Sequence, residues 1–288
     1  MSFRTIVVTN KCKLSYKSNH LIIRKEDVQM IHLSEINMIV IDTTQVSITT
    51  YLISELSKKK IKVIFCDELK NPIAELVPYY GSHNTSKKVL SQIKWEINIK
   101  EIVWKHIIKD KIQKQADILR ICQKENSEKL ESYIPQVQNG DKTNREGHAA
   151  KVYFNSLFGK DFVRDSESNY NAALDYGYTI LLSFFNREIV AKGYITQLGL
   201  NHRNEFNFFN LSCDLMEPFR PLIDQIVYQV GDQILDGTYK YTLINVLNLK
   251  VRIDNKEQFL SNAIGIYVNS IFDAIEKNDE SLLKVYEL

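Results

Sequence analysis

A histidine, two carboxylates and a proline stand out in the largely apolar segment 199–221. The segment contains His202, Asp214 and Glu217, and Pro218 follows the second carboxylate directly. Asp214 and Glu217 are three residues apart, so that on a helix they lie on one face. Burying two carboxylates is costly unless a cation compensates their charge. The pattern therefore predicts either a buried pair that binds a metal ion or two solvated carboxylates neutralised by a nearby arginine.

His202 and Pro218 bear on this choice. Inside a helix a proline removes an amide donor and costs about 3 kcal/mol, so Pro218 predicts a distortion that is either a plain kink or part of a site. His202 precedes Asp214 by 12 residues, enough for a loop to fold back. One imidazole with carboxylates suits Mn²⁺ or Mg²⁺, because oxygen ligands favour hard ions. The alternative is a structural histidine that only makes hydrogen bonds.

A third carboxylate, Glu146, has two interpretations. Thr143 and Glu146 have the spacing of a capping box, in which the glutamate closes the start of a helix. On that helix Ala149 and Ala150 accompany Glu146 and would leave room for an ion or a phosphate. Small residues suit close helix packing equally well, so both interpretations stay open at this level.

The composition is that of a folded soluble protein. The chain has 288 residues, 44% of them hydrophobic and 25% charged, and a net charge of +2. Any nucleic-acid contact must therefore come from a local basic patch. The four cysteines fit no zinc-ligand spacing and indicate free thiols in a reducing compartment. No apolar run is long enough to span a bilayer and no signal peptide is visible, which predicts a cytoplasmic protein without membrane contact.

The elements that must position these residues fall into two groups with different periods. Short β-branched and aromatic runs predict strands at 5–8, 13–17, 20–24, 36–43, 62–67 and 72–80. One helix is predicted among them, at 47–60. After the turn-like GSHNTS at 81–86 the apolar period becomes 3.6. It predicts a long helix through Trp104, Ile108 and Ile112, a buried helix at 171–193 and an amphipathic helix at 260–275.

The fold class expected from these elements is α+β. Residues 1–82 are predicted to form a small, mostly-β N-terminal domain, and residues 83–94 a linker. Residues 95–288 are predicted to form a larger all-α domain that contains His202, Asp214, Glu217 and Glu146, and hence the catalytic site.

Three motifs in this order resemble those of the integrase subunit of CRISPR adaptation. They are REGHAAKVYF at 145–154, NAALDYGYTILLS at 171–183, and GLNH with FNLSCDLMEPFRP at 199–221. The chain is most similar to the subtype II branch, for which DLMEPFRP is characteristic. The resemblance covers nearly the whole chain and implies a β domain, a linker and a helical catalytic domain.

The resemblance implies a role for each candidate residue. Glu146, His202 and Glu217 correspond to the family's ligands for Mg²⁺ or Mn²⁺, and Asp214 corresponds to an accompanying acid near the metal. Many branches have aspartate where Glu217 stands. The longer side chain is expected to reach the ion while altering the preference between ions.

The resemblance also implies the reaction and the partners. In this family the 3′-hydroxyl of a protospacer strand attacks a phosphodiester at the edge of a repeat, a transesterification that needs no ATP. The partners are double-stranded DNA, as protospacer and CRISPR repeat, and a small companion protein. The subunit forms a homodimer, and two such dimers flank a companion dimer in a heterohexamer. Residues 1–82 are expected to serve dimerisation and partner contacts.

Phosphate contacts are predicted for basic residues beside the candidate site, since sequence-independent DNA affinity comes from the backbone. The preferred residues are Arg145, Arg203 and Arg220, and the weaker candidates are Lys87, Lys88, Lys142 and Lys151. Two alternatives remain open. One is a hydrolytic nuclease acting on branched or single-stranded DNA with the same ligands. The other is a non-catalytic DNA-binding scaffold whose acids are caps and surface charges.

Overall fold

The structure is a computed structural model that describes residues 4–78 and 82–288. The chain divides into two compact units, Met1–His83 and Asn84–Leu288. The first unit is rich in strands and the second is mostly helical, which confirms the predicted α+β class. Parts of two predicted segments, the strand at 72–80 and the turn at 81–86, lie outside the described residues.

The first unit consists of two four-stranded sheets and a helix. Its elements are β1 (Arg4–Val8), β2 (Cys12–Lys17), β3 (His20–Arg24), β4 (Val28–His32), β5 (Ile36–Ile41), β6 (Val46–Ile48), α1 (Thr50–Lys58), β7 (Lys62–Cys66) and β8 (Pro72–Glu75). One sheet has the order β1-β5-β7-β8, in which only β8 is antiparallel to its neighbour. The other has the order β4-β3-β2-β6, with β6 parallel to β2.

The burial of its residues explains whether each strand could be predicted from the sequence. All six residues of β5 are buried, as a continuous apolar run between two parallel neighbours requires. The strands β4 and β6 were not predicted. Three of the five residues of β4 are exposed, and β6 has only three residues, two of which had been assigned to the start of the following helix. That helix begins at Thr50, where the Thr49 side chain caps it by accepting a hydrogen bond from the Leu52 amide.

The second unit contains nine helices and a small sheet in its described part, residues 84–288. Its elements are α2 (Thr85–Ile93), α3 (Ile97–Ile121), α4 (Ser127–Tyr133), α5 (Arg145–Phe158), α6 (Asn169–Ala191), α7 (Asn210–Met216), α8 (Arg220–Val230), α9 (Gly237–Ile244), β9 (Lys250–Ile253), β10 (Lys256–Phe259), α10 (Leu260–Lys277) and β11 (Tyr286–Glu287). The antiparallel sheet β10-β9-β11 adds to the helices that the sequence predicted. Asp254 and Asn255 join β9 to β10 with φ of 53° and 59°, as in a two-residue hairpin turn.

Helix α2 lies within the segment 83–94 that the sequence predicted as a linker. Gln92 attaches it to the segment that follows α6: its side-chain amide donates to the carbonyls of Ile195 and Leu198 and accepts from the Ile195 amide. Gln92 is buried although it is polar. These three bonds satisfy its amide group.

Two long helices carry the core of the second unit. The buried face of α3 includes Val103, Trp104, Ile108 and Ile112. Helix α6 packs against α8 at Gly177, where a Cβ atom would lie 2.5 Å from Cγ2 of Ile223, so only glycine allows this approach. Among the helices in residues 4–78 and 82–288, none has the length and apolar character needed to cross a membrane.

Candidate metal and DNA site

Pro218 separates two helices and thereby directs two carboxylates to different partners. Helix α7 ends at Met216, a 3₁₀ turn covers Glu217–Phe219, and α8 begins at Arg220. The Pro218 carbonyl accepts a hydrogen bond of 2.9 Å from the Tyr286 hydroxyl. Asp214 and Glu217 therefore do not act as one pair on a single helical face.

Asp214 is completely buried and holds the turn at residues 200–202. Its Oδ2 accepts from the amides of Leu200 at 2.6 Å and Asn201 at 3.0 Å, and its Oδ1 accepts from the His202 amide at 3.1 Å. Three backbone donors thus compensate a buried charge that would otherwise be costly. The solvated alternative does not apply to Asp214.

Asp214 also orients the His202 ring. The Nδ1 atom lies 2.5 Å from Asp214 Oδ1, so a proton on Nδ1 is shared with the carboxylate and the neutral ring presents the Nε2 lone pair outward. The ring contacts Trp104 edge-on, with centroids 5.8 Å apart. The hydrogen bond to Asp214 raises the pKa of His202 against the opposing effect of burial. Metal-ligating histidines are commonly held in this way.

Replacing Asp214 with asparagine is expected to lower both stability and the pKa of His202. The amide has one acceptor oxygen for four donors, which costs about 3 kcal/mol. The loss of the charge removes the interaction that raises the imidazole pKa. Urea denaturation and NMR titration of the His202 ring would measure the two effects. Asp236→Asn is the control, because Asp236 only caps α9 through the Tyr239 amide. An unchanged His202 pKa in Asp214→Asn would contradict the assignment.

Glu146 projects from the first turn of α5 but does not cap it. Asn144 is the N-cap and accepts from the Gly147 amide, while Asp141 accepts from the amides of Arg145 and Glu146. The capping-box interpretation with Thr143 is therefore wrong: other side chains satisfy these donors, and the Glu146 carboxylate is directed elsewhere.

Glu146 and Glu217 converge on one atom. The Lys111 Nζ of helix α3 lies 2.7 Å from Glu146 Oε1 and 2.5 Å from Glu217 Oε2. The other oxygen of Glu217 accepts from Arg220 Nε at 3.0 Å. Sequence motifs alone did not identify Lys111. The sequence feature that could have identified it is its position on α3, where Lys111 lies on the same face as the buried Trp104 and Ile108.

Lys111, Glu146, Glu217 and Arg220 form a cluster in which opposite charges attract one another. Burial opposes the ionisation of Glu217, but Arg220 and Lys111 outweigh it and lower the pKa of Glu217 to about 2. Burial likewise opposes the ammonium of Lys111, yet Glu217 and Glu146 raise its pKa. Glu217 and Lys111 are therefore ionised at neutral pH. The sequence-based alternative in which Arg220 neutralises Glu217 describes one of these contacts, but Glu217 is buried and not solvated.

The three arginines predicted to contact DNA have different surroundings. Arg220 is bonded to Glu217 and stacks over the Tyr178 ring at 4.6 Å. Arg203 is exposed and lines the same cavity as His202. Arg145 stacks over the Tyr133 ring at 5.9 Å, at the start of α5. Arg203 and Arg220 thus lie beside the candidate ligands, and Arg145 adjoins Glu146 in the chain.

Two cavities of the second unit border candidate ligands, one at Glu217 and the other at His202. One, of about 810 Å³, is lined by Lys111, Glu217 and Arg220 among others. The other, of about 540 Å³, is lined by His202, Arg203 and Lys100 among others. Burial and the charge of Arg203 lower the pKa of Lys100, as crowded cations require. Both openings therefore present positive charge beside carboxylates.

The donor set fits a hard divalent ion in its chemistry. Two glutamate oxygens converge on a single point, and a positioned imidazole stands close enough for both carboxylates to affect its pKa. In residues 4–78 and 82–288, no three His, Cys, Asp or Glu side chains are close enough together to hold an ion as they stand. Lys111 occupies the point at which the two carboxylates meet.

Comparisons with known proteins agree with the motifs. The profile of the family described as "CRISPR associated protein Cas1" matches residues 5–238. The CRISPR-associated endonuclease Cas1 of Neisseria meningitidis serogroup C (strain 8013) is 31% identical over 295 residues, which cover 100% of this chain and 97% of the relative.

Solved structures share the fold. A casposase bound to integration product has a TM-score of 0.76 at 19% identity, covering 96% of this chain and 92% of its own. A Cas6-RT-Cas1–Cas2 complex contains a longer chain, of which 36% aligns with 99% of this one at a TM-score of 0.71 and 18% identity. The profile match spans most of the sequence and the Neisseria relative aligns over all of it, so the chain belongs to the Cas1 family.

Proposed function

We propose that this protein is a metal-dependent DNA integrase of CRISPR adaptation. It joins the 3′-hydroxyl ends of a protospacer to the edges of the repeat by transesterification. The observation that carries the proposal is the convergence of Glu146 and Glu217 on one point, beside a histidine fixed by Asp214, in a member of the Cas1 family.

Glu146, Glu217 and His202 are the residues that would hold Mg²⁺ or Mn²⁺. Bound there, such an ion would supply a Lewis acid for the scissile phosphate and positive charge to stabilise an in-line displacement. Glu217 is already ionised because Arg220 and Lys111 hold its pKa low. His202 ligates through Nε2 because Asp214 engages Nδ1. Asp214 is thus a positioning residue in this proposal and not a ligand, since its oxygens face His202 and the backbone amides.

The chain's own cations bind and orient the two DNA strands. Arg220 borders the larger cavity and Arg203 the smaller one, so each cavity offers a phosphate contact next to the ligands. Arg145, at the start of α5, extends this basic surface beside Glu146. Strand transfer brings two strands together at one phosphate. One cavity borders Glu217 and the other borders His202, and two openings beside the proposed ligands suit that requirement better than a one-strand hydrolysis does.

The proposed partners follow from the family and its relatives. They are double-stranded protospacer and repeat DNA, a second copy of this chain, and a small companion protein in a heterohexamer. The support is that similar folds occur in a Cas1–Cas2 complex and in a casposase bound to integration product. We assign dimerisation and companion contacts to the strand-rich unit and catalysis to the helical unit.

The purified protein with its companion is expected to join a labelled duplex to a plasmid that carries a repeat, in the presence of Mn²⁺. Glu146→Ala and His202→Ala should each abolish the joined product, because each removes one of three ligands. Denaturing gels separate the products by length, and circular dichroism with DNA titration checks that the variants fold and bind.

The same gels decide between the proposal and its rivals. The Neisseria relative is named an endonuclease, which keeps hydrolysis as the second candidate. Shortened strands without any joined product would favour hydrolysis and contradict strand transfer. Unchanged joining in both variants would mean that Glu146 and His202 are structural residues, and a wild-type protein that forms neither product would favour the scaffold.

A further inference from the structure

The Lys111 ammonium lies at the centre of the proposed metal site. It projects from α3 between a carboxylate of α5 and a carboxylate of the turn before α8. Its Nζ is within 2.7 Å of one oxygen of Glu146 and within 2.5 Å of one oxygen of Glu217, and its side chain is only 10% exposed. An ion that both carboxylates ligate would have to lie close to the same point.

The direct ion pairs around this point are matched without an ion. Glu146 and Glu217 contribute two negative charges, and Lys111 and Arg220 contribute two positive charges. Asp214 and Asp224 are further acids nearby, but Asp214 faces His202 and the amides of residues 200–202, and Asp224 accepts from the Tyr178 hydroxyl. A divalent cation and the ammonium therefore compete for the same two carboxylates, and removing the ammonium makes the cluster more negative and favours the ion.

The ammonium has a route out of the cluster. The cavity of about 810 Å³ is lined by Lys111 together with Glu217 and Arg220. A lysine has a flexible four-carbon stem, so Nζ can swing into this opening while the Cα atom keeps its place on α3. Displacement therefore requires a change of side-chain rotamers and no unfolding of the helix.

We propose that Lys111 is a place-holder cation that a divalent ion must displace. In the ion-free protein it holds Glu146 and Glu217 together, and in the ion-bound protein its ammonium lies in the cavity that Lys111 lines. The inference rests on the proposed function and adds that Lys111 sets the ion affinity of the site. Competition stabilises the ion-free site and weakens ion binding.

Lys111→Met tests this competition in the full chain without DNA. Methionine has a similar length and no charge, so the variant should bind Mn²⁺ with a dissociation constant lower by about tenfold or more. Its ion-free Tm should fall, because two buried carboxylates lose their cation, and its Mn²⁺-induced rise in Tm should exceed that of the wild type. Calorimetric titration and thermal scans measure these quantities, and Lys111→Arg should behave like the wild type.

Lys114→Met is the matched control. Lys114 lies one turn further along α3, is equally buried, and bonds to Asp110 at 2.8 Å with its ammonium over the Tyr286 ring. Its replacement should lower the ion-free Tm and leave the Mn²⁺ dissociation constant within about twofold of the wild-type value. An equal gain of affinity in both variants would mean a general loosening of α3 and would overturn the proposal.

Three further outcomes separate the possibilities. An unchanged or higher dissociation constant in folded Lys111→Met overturns the inference and leaves the proposed function intact. A wild-type protein that binds no Mn²⁺ refutes both the inference and the proposed function.

If Lys111→Met does not fold, Lys111→Gln replaces it, and wild-type crystals soaked in Mn²⁺ give an independent answer. In these crystals we expect the Lys111 Nζ to have moved away from at least one of the two carboxylates. An ammonium that keeps both hydrogen bonds while an ion is bound would overturn the proposal.

Discussion

Replacing Glu217 with glutamine is expected to reduce strand transfer by about 10³-fold, since a metal site contributes several kcal/mol to the reaction. The amide keeps the length of the side chain and still offers an oxygen to Arg220, but it supplies no negative charge for an ion. The substitution also leaves the charges of Lys111 and Arg220 with one fewer partner, which costs about 3 kcal/mol of stability. Rates of joined product and urea denaturation would measure the two losses separately.

Two further variants make this expectation specific. Glu217→Asp keeps the charge and shortens the reach, and a displacement of that size lowers activity by about 10- to 100-fold. Glu188→Gln is the matched control, since Glu188 also pairs with an arginine and a lysine, Arg187 and Lys192, outside the site. It should lose stability without losing strand transfer. A Glu217→Gln protein that still joins DNA at the wild-type rate would rule Glu217 out as a ligand.

The fold was predictable where a single pattern determines an element. The buried strand β5 and helices α3, α6 and α10 have strong apolar patterns, and each was predicted within a few residues of its position. Strands β9, β10 and β11 have four residues or fewer, too few to display a period. They form because the Asp254–Asn255 turn and the packing of α10 bring them together, and these are tertiary effects.

Residue types and motifs predicted the candidate site only in part. Those features named Glu146, His202 and Glu217 as candidates, but local spacing misled at one pair of residues and gave no indication of Lys111. Asp214 and Glu217 would share a face on an unbroken helix, whereas the break at Pro218 separates their directions. Lys111 is 35 residues from Glu146 and 106 from Glu217, so its role arises only when α3 packs against the other two elements.

Gly199→Ala is expected to weaken Mn²⁺ binding by about tenfold, although residue 199 is no ligand. A Cβ atom at this position would lie 2.5 Å from the His202 carbonyl oxygen and 2.7 Å from Asp214 Oδ2. Neither neighbour moves easily, because one is backbone and the other is a buried carboxylate that holds three amides and the imidazole. The turn must therefore shift and carry His202 with it, at a cost of about 2 kcal/mol.

Calorimetric titration and thermal scans of Gly199→Ala would measure both effects. Gly237→Ala is the control, since a Cβ at the first position of α9 meets no atom within 4 Å, and alanine there should leave ion affinity unchanged. The two effects of Gly199→Ala can then be separated in a His202→Ala background. If glycine acts by placing the imidazole, the second substitution no longer weakens ion binding there but still lowers the Tm. An additive loss of ion affinity would mean that Gly199 acts independently of His202, and the turn at 199–202 would then not position that ligand.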